Sequence, residues 1–285
     1  MPTVHVDRDL VLEKSGDLPG FPRVINEILE TLDDPEANLN ILTHLIQLDP
    51  VITARVLSQA NKAASLTRNL ANIRDIFTAT SLIGIGRVRQ MVLVSSCVDY
   101  IRELGSSALA TTFWQHSVAV GVCGEELALF VKTPVSSAAA LIAGLLHDVG
   151  QLWLARFNAE LFRDAWGDAL GHGVGIERAE RERFGVDHAE LGAWLAEHWL
   201  LPQSIVAAIR HHHACDAALD QPLVPVVHVA EVLSNALDLT GRKENRVTHI
   251  SSGACAALGL VWDEDVRTLF GRIEARSRHV NSFFA

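Results

Sequence analysis

Apolar residues recur along this chain at the spacing of one helical face. Leu39, Leu42, Leu45 and Ile46 share such a face, Ile52, Val56 and Leu57 share the next, and Leu191, Leu195 and Trp199 share a later one. Side chains three and four positions apart stack on one side of an α-helix, so each set marks a stripe that needs covering. The alternation that a half-buried strand requires is scarce. The valine-rich runs Val92–Val94 and Val224–Val229 lie inside or beside helical patterns. The pattern predicts an all-α chain of roughly a dozen or more helices.

Start and stop signals agree with that reading. Asp49-Pro50 predicts an N-cap followed by a proline at the first helical position, where its missing N–H costs nothing, and Leu201-Pro202 opens another helix. Asp187 with Glu190 resembles a capping box, which places His188 at the first helical position. Gly84, Gly86, Gly150, Gly171, Gly173, Gly185, Gly241 and Gly259 read as stops. The run Arg102-Glu103-Leu104-Gly105-Ser106-Ser107 interrupts the pattern. It divides the chain into an N-terminal helical part over 1–105, a histidine-rich part over 106–240 and a closing part over 241–285, whose segment Val247 to Ser282 predicts two helices packing back on the core.

Composition narrows the function classes. Apolar residues make up 49% and charged residues 20%, which is enough to bury a substantial core. No apolar run is read as a membrane span, since even Ala138–Leu146 is soon interrupted by His147 and Asp148, and no secretory pattern opens the chain. The four cysteines, Cys97, Cys123, Cys215 and Cys255, form no CxxC pair and read as buried thiols of a cytoplasmic protein. A net charge of −10 argues against direct nucleic-acid binding, which depends on neutralising phosphates.

The chemistry concentrates in the middle of the chain. His147-Asp148 ends the apolar run Ala143-Gly144-Leu145-Leu146, where a core helix should carry only packing residues. Burying a carboxylate is costly without a partner. Candidate partners are His116, His188, His211, His212, His213, His228 and Glu231, and imidazole with carboxylate suits Zn, Fe, Mn or Ni far better than Ca or Mg. Successive helical residues point about 100° apart, so at most two of His211, His212 and His213 can reach a common site. Arg210 reads as a solvated charge, and His228 as a structural competitor to Glu231. His5, His44, His172, His198, His249 and His279 read as surface or capping histidines.

These residues resemble a known family. Phe113-Trp114-Gln115-His116-Ser117, Gly144-Leu145-Leu146-His147-Asp148-Val149-Gly150, Phe184 to Gly192 and Ile209-Arg210-His211-His212-His213 resemble HDOD domains. So do Leu18-Pro19-Gly20-Phe21-Pro22, Leu48 to Leu57, Gln59 to Ala64, and the helix Ile73 to Ile83 leading to Gly84. The resemblance covers about residues 18 to 240. It implies a multi-helix HD-domain-like bundle with an N-terminal helical subdomain, in a bacterial signalling module related to HD-type phosphohydrolases and to the HD-GYP cyclic-di-GMP phosphodiesterases. On the pattern of those enzymes His116, His147 and Glu231 would serve one metal ion and His188, His212 and His213 another, with Asp148 bridging. Glu231 stands where they use an aspartate. The implied cofactors are one or two ions of Fe, Zn or Mn.

Two departures from the HD-GYP pattern weigh against catalysis. The lysine expected after His-Asp-x-Gly is Gln151, which removes a cation that would stabilise a phosphate's developing charge. The Gly-Tyr-Pro loop is absent: after His213 the chain reads Ala214-Cys215-Asp216-Ala217-Ala218, and the sole tyrosine is Tyr100. Thr112 replaces a further acid, so no third ion is expected. The resemblance therefore implies a regulatory module that acts through contacts with signalling proteins or receiver domains, without turnover, with homodimerisation left open and no membrane partner. The alternative is a metal-dependent phosphodiesterase acting on a nucleotide or cyclic dinucleotide, in which two ions roughly 3.5–4 Å apart clamp the phosphate and Asp148 is catalytic.

Overall fold

The computed structural model describes residues 3–30, 42–47, 49–66, 73–104, 107–240 and 249–281. Leu39, Leu48, the stop at Gly241 and the segment ends Val247 and Ser282 lie outside them. The described residues form helices joined by turns and short loops, with no strand among them. The chain falls into two compact units, one of residues 1–21 with 99–279 and the other of residues 22–98 with 280–285. This division differs from the expected break near residue 105. The N-terminal segment joins the histidine-rich part because Val4 and Val6 donate backbone hydrogen bonds to Arg183 and Phe184, and because α1 (Arg8–Ser15) packs on a later helix of that unit.

The smaller unit holds α2 (Arg23–Glu30), α3 (Pro50–Leu66), α4 (Ile76–Ile83) and the first part of α5 (Ile85–Leu104). Asp49 caps α3 by accepting from the Ile52 N–H at 3.0 Å, so Pro50 takes the first helical position as its fixed φ favours. The Asn61 side chain donates to Leu57 O and Ile73 O and accepts from the Ile73 N–H. That one amide ties α3 to the segment entering α4, whose end is marked by Gly84 at φ 93°. Gly86, read as a stop, instead lies in the first turn of α5.

The larger unit carries α6 (Ser107–Phe130), α7 (Ser137–Leu146), α8 (Val149–Phe157), α9 (Ala159–His172), α10 (Ile176–Phe184), α11 (His188–His198), α12 (Gln203–His211), a short 3-10 turn (Cys215–Ala217), α13 (Leu223–Ala236), α14 (Ser252–Leu258) and α15 (Glu264–Asn281). Of the interruption read over 102–107, residues 102–104 end α5 and Ser107 begins α6, while 105 and 106 lie outside the described residues; the closing part contains two helices. α7 and α13 are buried on every side, which is why their sequences carry no polar stripe. The stretch Ser137–Phe157 is in fact long and apolar enough by composition to cross a membrane, but 94% of its most apolar window is buried as core.

Glycines set how closely the central helices approach. A Cβ on Gly144 of α7 would lie 2.7 Å from the Gly121 Cα of α6. Gly150, read as a stop, sits inside α8 because a Cβ there would lie 2.1 Å from the His188 carbonyl oxygen of α11. These two contacts bring the middle of α6 against the end of α7, and the start of α8 against the start of α11, on either side of the His147-Asp148 turn.

Candidate metal centre

His147 caps the C-terminus of α7 and Asp148 occupies the N-cap of α8, so the dyad lies in a tight break between two buried helices. Around it the fold gathers His116 from α6, His188 from the first position of α11, His212 and His213 from the end of α12, and Glu231 from α13. Helix α12 stops at His211, and that stop frees His212 and His213 to turn toward one place while His211 stays outside. The Asp187 carboxylate accepts from the Glu190 N–H at 2.9 Å, fixing His188 at the helix start as the capping signal required.

The donor atoms fall into two sets, each within 4.8 Å: Asp148 with His188, His212 and His213, and His116 with His147 and Glu231. The two oxygens of Asp148 divide between them. Oδ1 lies 3.1 Å from His188 Nε2 and 3.7 Å from His212 Nε2, while Oδ2 lies 3.4 Å from His147 Nε2 and 3.7 Å from His116 Nε2. His147, His188 and His212 are wholly buried, whereas Asp148, His213 and Glu231 face a cavity of about 570 Å³.

Hydrogen bonds at the other ring nitrogens orient these imidazoles. His147 Nδ1 donates to Gly144 O at 2.8 Å and His212 Nδ1 to Ile209 O at 2.7 Å, which leaves each Nε2 as a lone pair aimed inward. His188 Nδ1 faces the Glu180 carboxylate at 2.5 Å, and the same oxygen accepts from the His188 N–H. His188 Nε2 then lies 2.9 Å from His213 Nε2 and 3.4 Å from His212 Nε2. Bare nitrogen lone pairs do not converge at such distances without a hydrogen or a cation between them. A proton or a metal ion can take that place, and the nitrogen and carboxylate donors suit Zn, Fe or Mn.

The electrostatics show the same demand. Burial pushes the Asp148 carboxyl up, but His147, His188 and His116 together hold it well below the usual range. Burial works to lower His188, and the charges and hydrogen bonds of Glu180 and Asp148 outweigh it, raising that imidazole well above its ordinary value. His212 and His213 are held well below theirs, first by burial and then by neighbouring imidazoles. Burial also raises the Glu180 carboxyl.

Glu180 escapes a reading of the sequence because it sits in the charged run Arg178-Ala179-Glu180-Arg181-Glu182-Arg183, where an acid looks solvated. Its helical spacing from Ile176, Ala179 and Phe184 was the available signal, since those positions place it on the buried face of α10. Two further sequence readings change, and the structural reading of His228 stands. Arg210 is paired, donating to Glu190 and Glu197 at 3.1 Å. His249, read as a surface or capping histidine, lines the cavity. His228 is structural: Nδ1 donates to His212 O at 2.9 Å and Nε2 accepts from the Ser251 N–H at 3.1 Å. Gln151 is buried beside Asp148 and also lines the cavity.

Comparison with known proteins places this arrangement. The HDOD domain family pattern matches residues 18–215. A Treponema pallidum (strain Nichols) protein carrying the name "Uncharacterized protein" is 23% identical over 235 residues, and the match takes in 80% of this chain but only 44% of that protein. Among solved structures, an HDOD domain protein of unknown function from Geobacter sulfurreducens superposes with a TM-score of 0.75 at 23% identity, covering 96% of each chain. A Shewanella amazonensis SB2B protein, provisionally named a phosphohydrolase, gives a TM-score of 0.68 at 22% identity over 95% of this chain and 97% of that one. A Marinobacter aquaeolei VT8 protein, provisionally named a signal transduction protein, gives 0.67 at 20% identity over 96% of this chain and 60% of that one. At these identities the likeness is one of fold.

Proposed function

The chain belongs to the HDOD family, and from that premise we propose that it is a cytoplasmic regulatory module of signal transduction which holds a two-ion metal centre without turning over a phosphoester. His116, His147 and Glu231 would hold one ion, His188, His212 and His213 the other, and Asp148 would bridge them through its two oxygens. Bound metal would supply the positive charge that these donors converge on and would tie five segments of the larger unit together. The observation that carries the non-catalytic reading is Gln151. A buried neutral amide stands three residues after Asp148 at the cavity wall, so this position offers a phosphate no cation. The 3-10 turn Cys215–Ala217 follows His213, in place of a Gly-Tyr-Pro loop. Contacts with signalling proteins or receiver domains would carry the output.

The hydrolase reading has one specific observation in its favour, the division of the Asp148 oxygens between two histidine sets, which is what a two-ion phosphodiesterase needs. The names of the Shewanella and Marinobacter folds mark the same two options. Protein purified without chelator or nickel resin separates them. Metal analysis is expected to find bound Fe, Zn or Mn, and assays with bis(p-nitrophenyl) phosphate and cyclic-di-GMP are expected to show no turnover. Mn-dependent hydrolysis that Asp148→Ala abolishes would overturn the regulatory reading in favour of the enzyme.

A further inference from the structure

The cavity over the candidate centre has two unlike sides. Its floor is the donor face of Asp148, His116, His213 and Glu231. Its other wall is built by α9 and the connection to α10, and carries Trp166, Leu170, Val174 and Ile176. Trp166 and Leu170 are four residues apart and so share one face of α9, while Val174 and Ile176 follow in the turn. Trp166, Val174 and Ile176 are only half-buried, and Leu170 is exposed at 41%. Apolar side chains are normally scattered singly over a surface, whereas here several line one cavity together with the donor groups. At about 570 Å³ the cavity falls within the range of small-molecule sites, which combine an apolar lining with a few convergent polar groups. Among the described lining residues there is no lysine or arginine, while Glu177 and Asp216 add negative charge.

We propose that this cavity is the input site of the module, binding a small amphipathic molecule with an aromatic or branched apolar body against Trp166, Leu170, Val174 and Ile176 and a single oxygen-donor head on the metal face of Asp148, His116, His213 and Glu231. The proposal rests on the metal-centre reading for its head group and on the apolar wall alone for its body. Occupancy would join α9 and α10 to the segments that carry the donors, and through Glu180 of α10 it would bear on the orientation of His188.

The test uses the full chain loaded with Mn²⁺, titrated calorimetrically with benzohydroxamate, which has a ring and an oxygen-donor head, and with acetohydroxamate, which has the same head and no ring. Burying the ring should make benzohydroxamate bind about tenfold tighter or more. Trp166→Ala and Leu170→Asn should each shrink that ratio toward one while metal content stays at the wild-type level. The second change falls at an exposed position and so leaves the fold in place. Equal affinities in the wild type, or a ratio unmoved by both variants, with metal bound, would overturn the ligand site and leave the metal centre standing. Undiminished benzohydroxamate affinity after chelation would overturn the head-group anchor. A chain that takes up no metal would overturn the metal centre itself.

Discussion

Glu180 is a single side chain on which the order of the centre turns. Its carboxylate accepts from both the Nδ1 and the backbone N–H of His188, so it fixes the ring's tautomer and aims Nε2 at Asp148, His212 and His213. Partners behind a ligating imidazole typically set metal affinity by one to two orders of magnitude. Glu180→Ala is accordingly expected to weaken Mn²⁺ or Zn²⁺ binding about 10–100-fold in calorimetric titration, with Glu180→Gln, which keeps an acceptor, falling between. Unchanged affinity in both variants would show that His188 needs no such support. The same residues shape the stability of chelated protein against pH. His188 is raised above its ordinary value of 6.5, so its contribution is full below that pH and is lost as pH rises through the raised value. His212 and His213 are depressed, so stability also falls as pH drops below 6.5 and the unfolded chain takes up protons that the folded chain refuses. Urea midpoints should therefore peak near pH 6.5, with His188→Gln flattening the alkaline arm and His212→Gln the acid arm. The clustered histidines and Asp148 were legible because histidine and aspartate stand out in apolar runs. Glu180 was not, because an acid among arginines looks like any solvated helix face.

At the scale of the element, placement depends on where glycine permits close approach. Gly150 reads as a stop in the sequence, since it follows a polar break. Its use in the fold is to let the His188 carbonyl come against α8, and that knowledge requires both helices. Helices, caps and most stops were legible from periodicity and local hydrogen-bonding chemistry, as at Asp49, Asp187 and Gly185. Long-range approach leaves no local signature, and so Gly150 reads as a boundary; Gly86 and Gly171 also read as stops but lie in the terminal turns of α5 and α9, where an added Cβ meets nothing within 4 Å. Gly150→Ala should cost roughly 1–3 kcal/mol or more, because the obstructing atoms are backbone and cannot rotate away. Gly167→Ala, inside α9 with nothing within 4 Å of the added Cβ, should instead stabilise by about 0.5–1 kcal/mol through helix propensity. Denaturant unfolding of the two variants checks the contrast. If both lower stability alike, close approach at Gly150 is not what selects glycine there.

For the molecule as a whole, the question is how far one centre organises the fold. The donors come from α6, the α7–α8 turn, the start of α11, the end of α12 and α13, all within the unit of residues 1–21 and 99–279. The sequence placed a boundary near residue 105 because the helical pattern breaks there. The compact units instead divide at 21–22 and 98–99, since the N-terminal segment hydrogen-bonds to Arg183 and Phe184, a pairing that no local pattern announces. An ion that binds the folded but not the unfolded chain stabilises it by mass action, about 2.7 kcal/mol at a hundredfold excess over Kd. That stabilisation should appear only where the bound ion cross-links the chain. Hydrogen exchange with and without Mn²⁺ is expected to slow in α6, α7, α11 and α13, and to change little in α2 and α3 of the smaller unit. Asp148→Asn, which keeps the shape of the side chain and removes the one carboxylate whose oxygens face both donor sets, should abolish the difference. Equal slowing in α2 and α3 would mean that metal acts on the whole chain as one cooperative body. No slowing anywhere would mean that the converging imidazoles are held by protons alone.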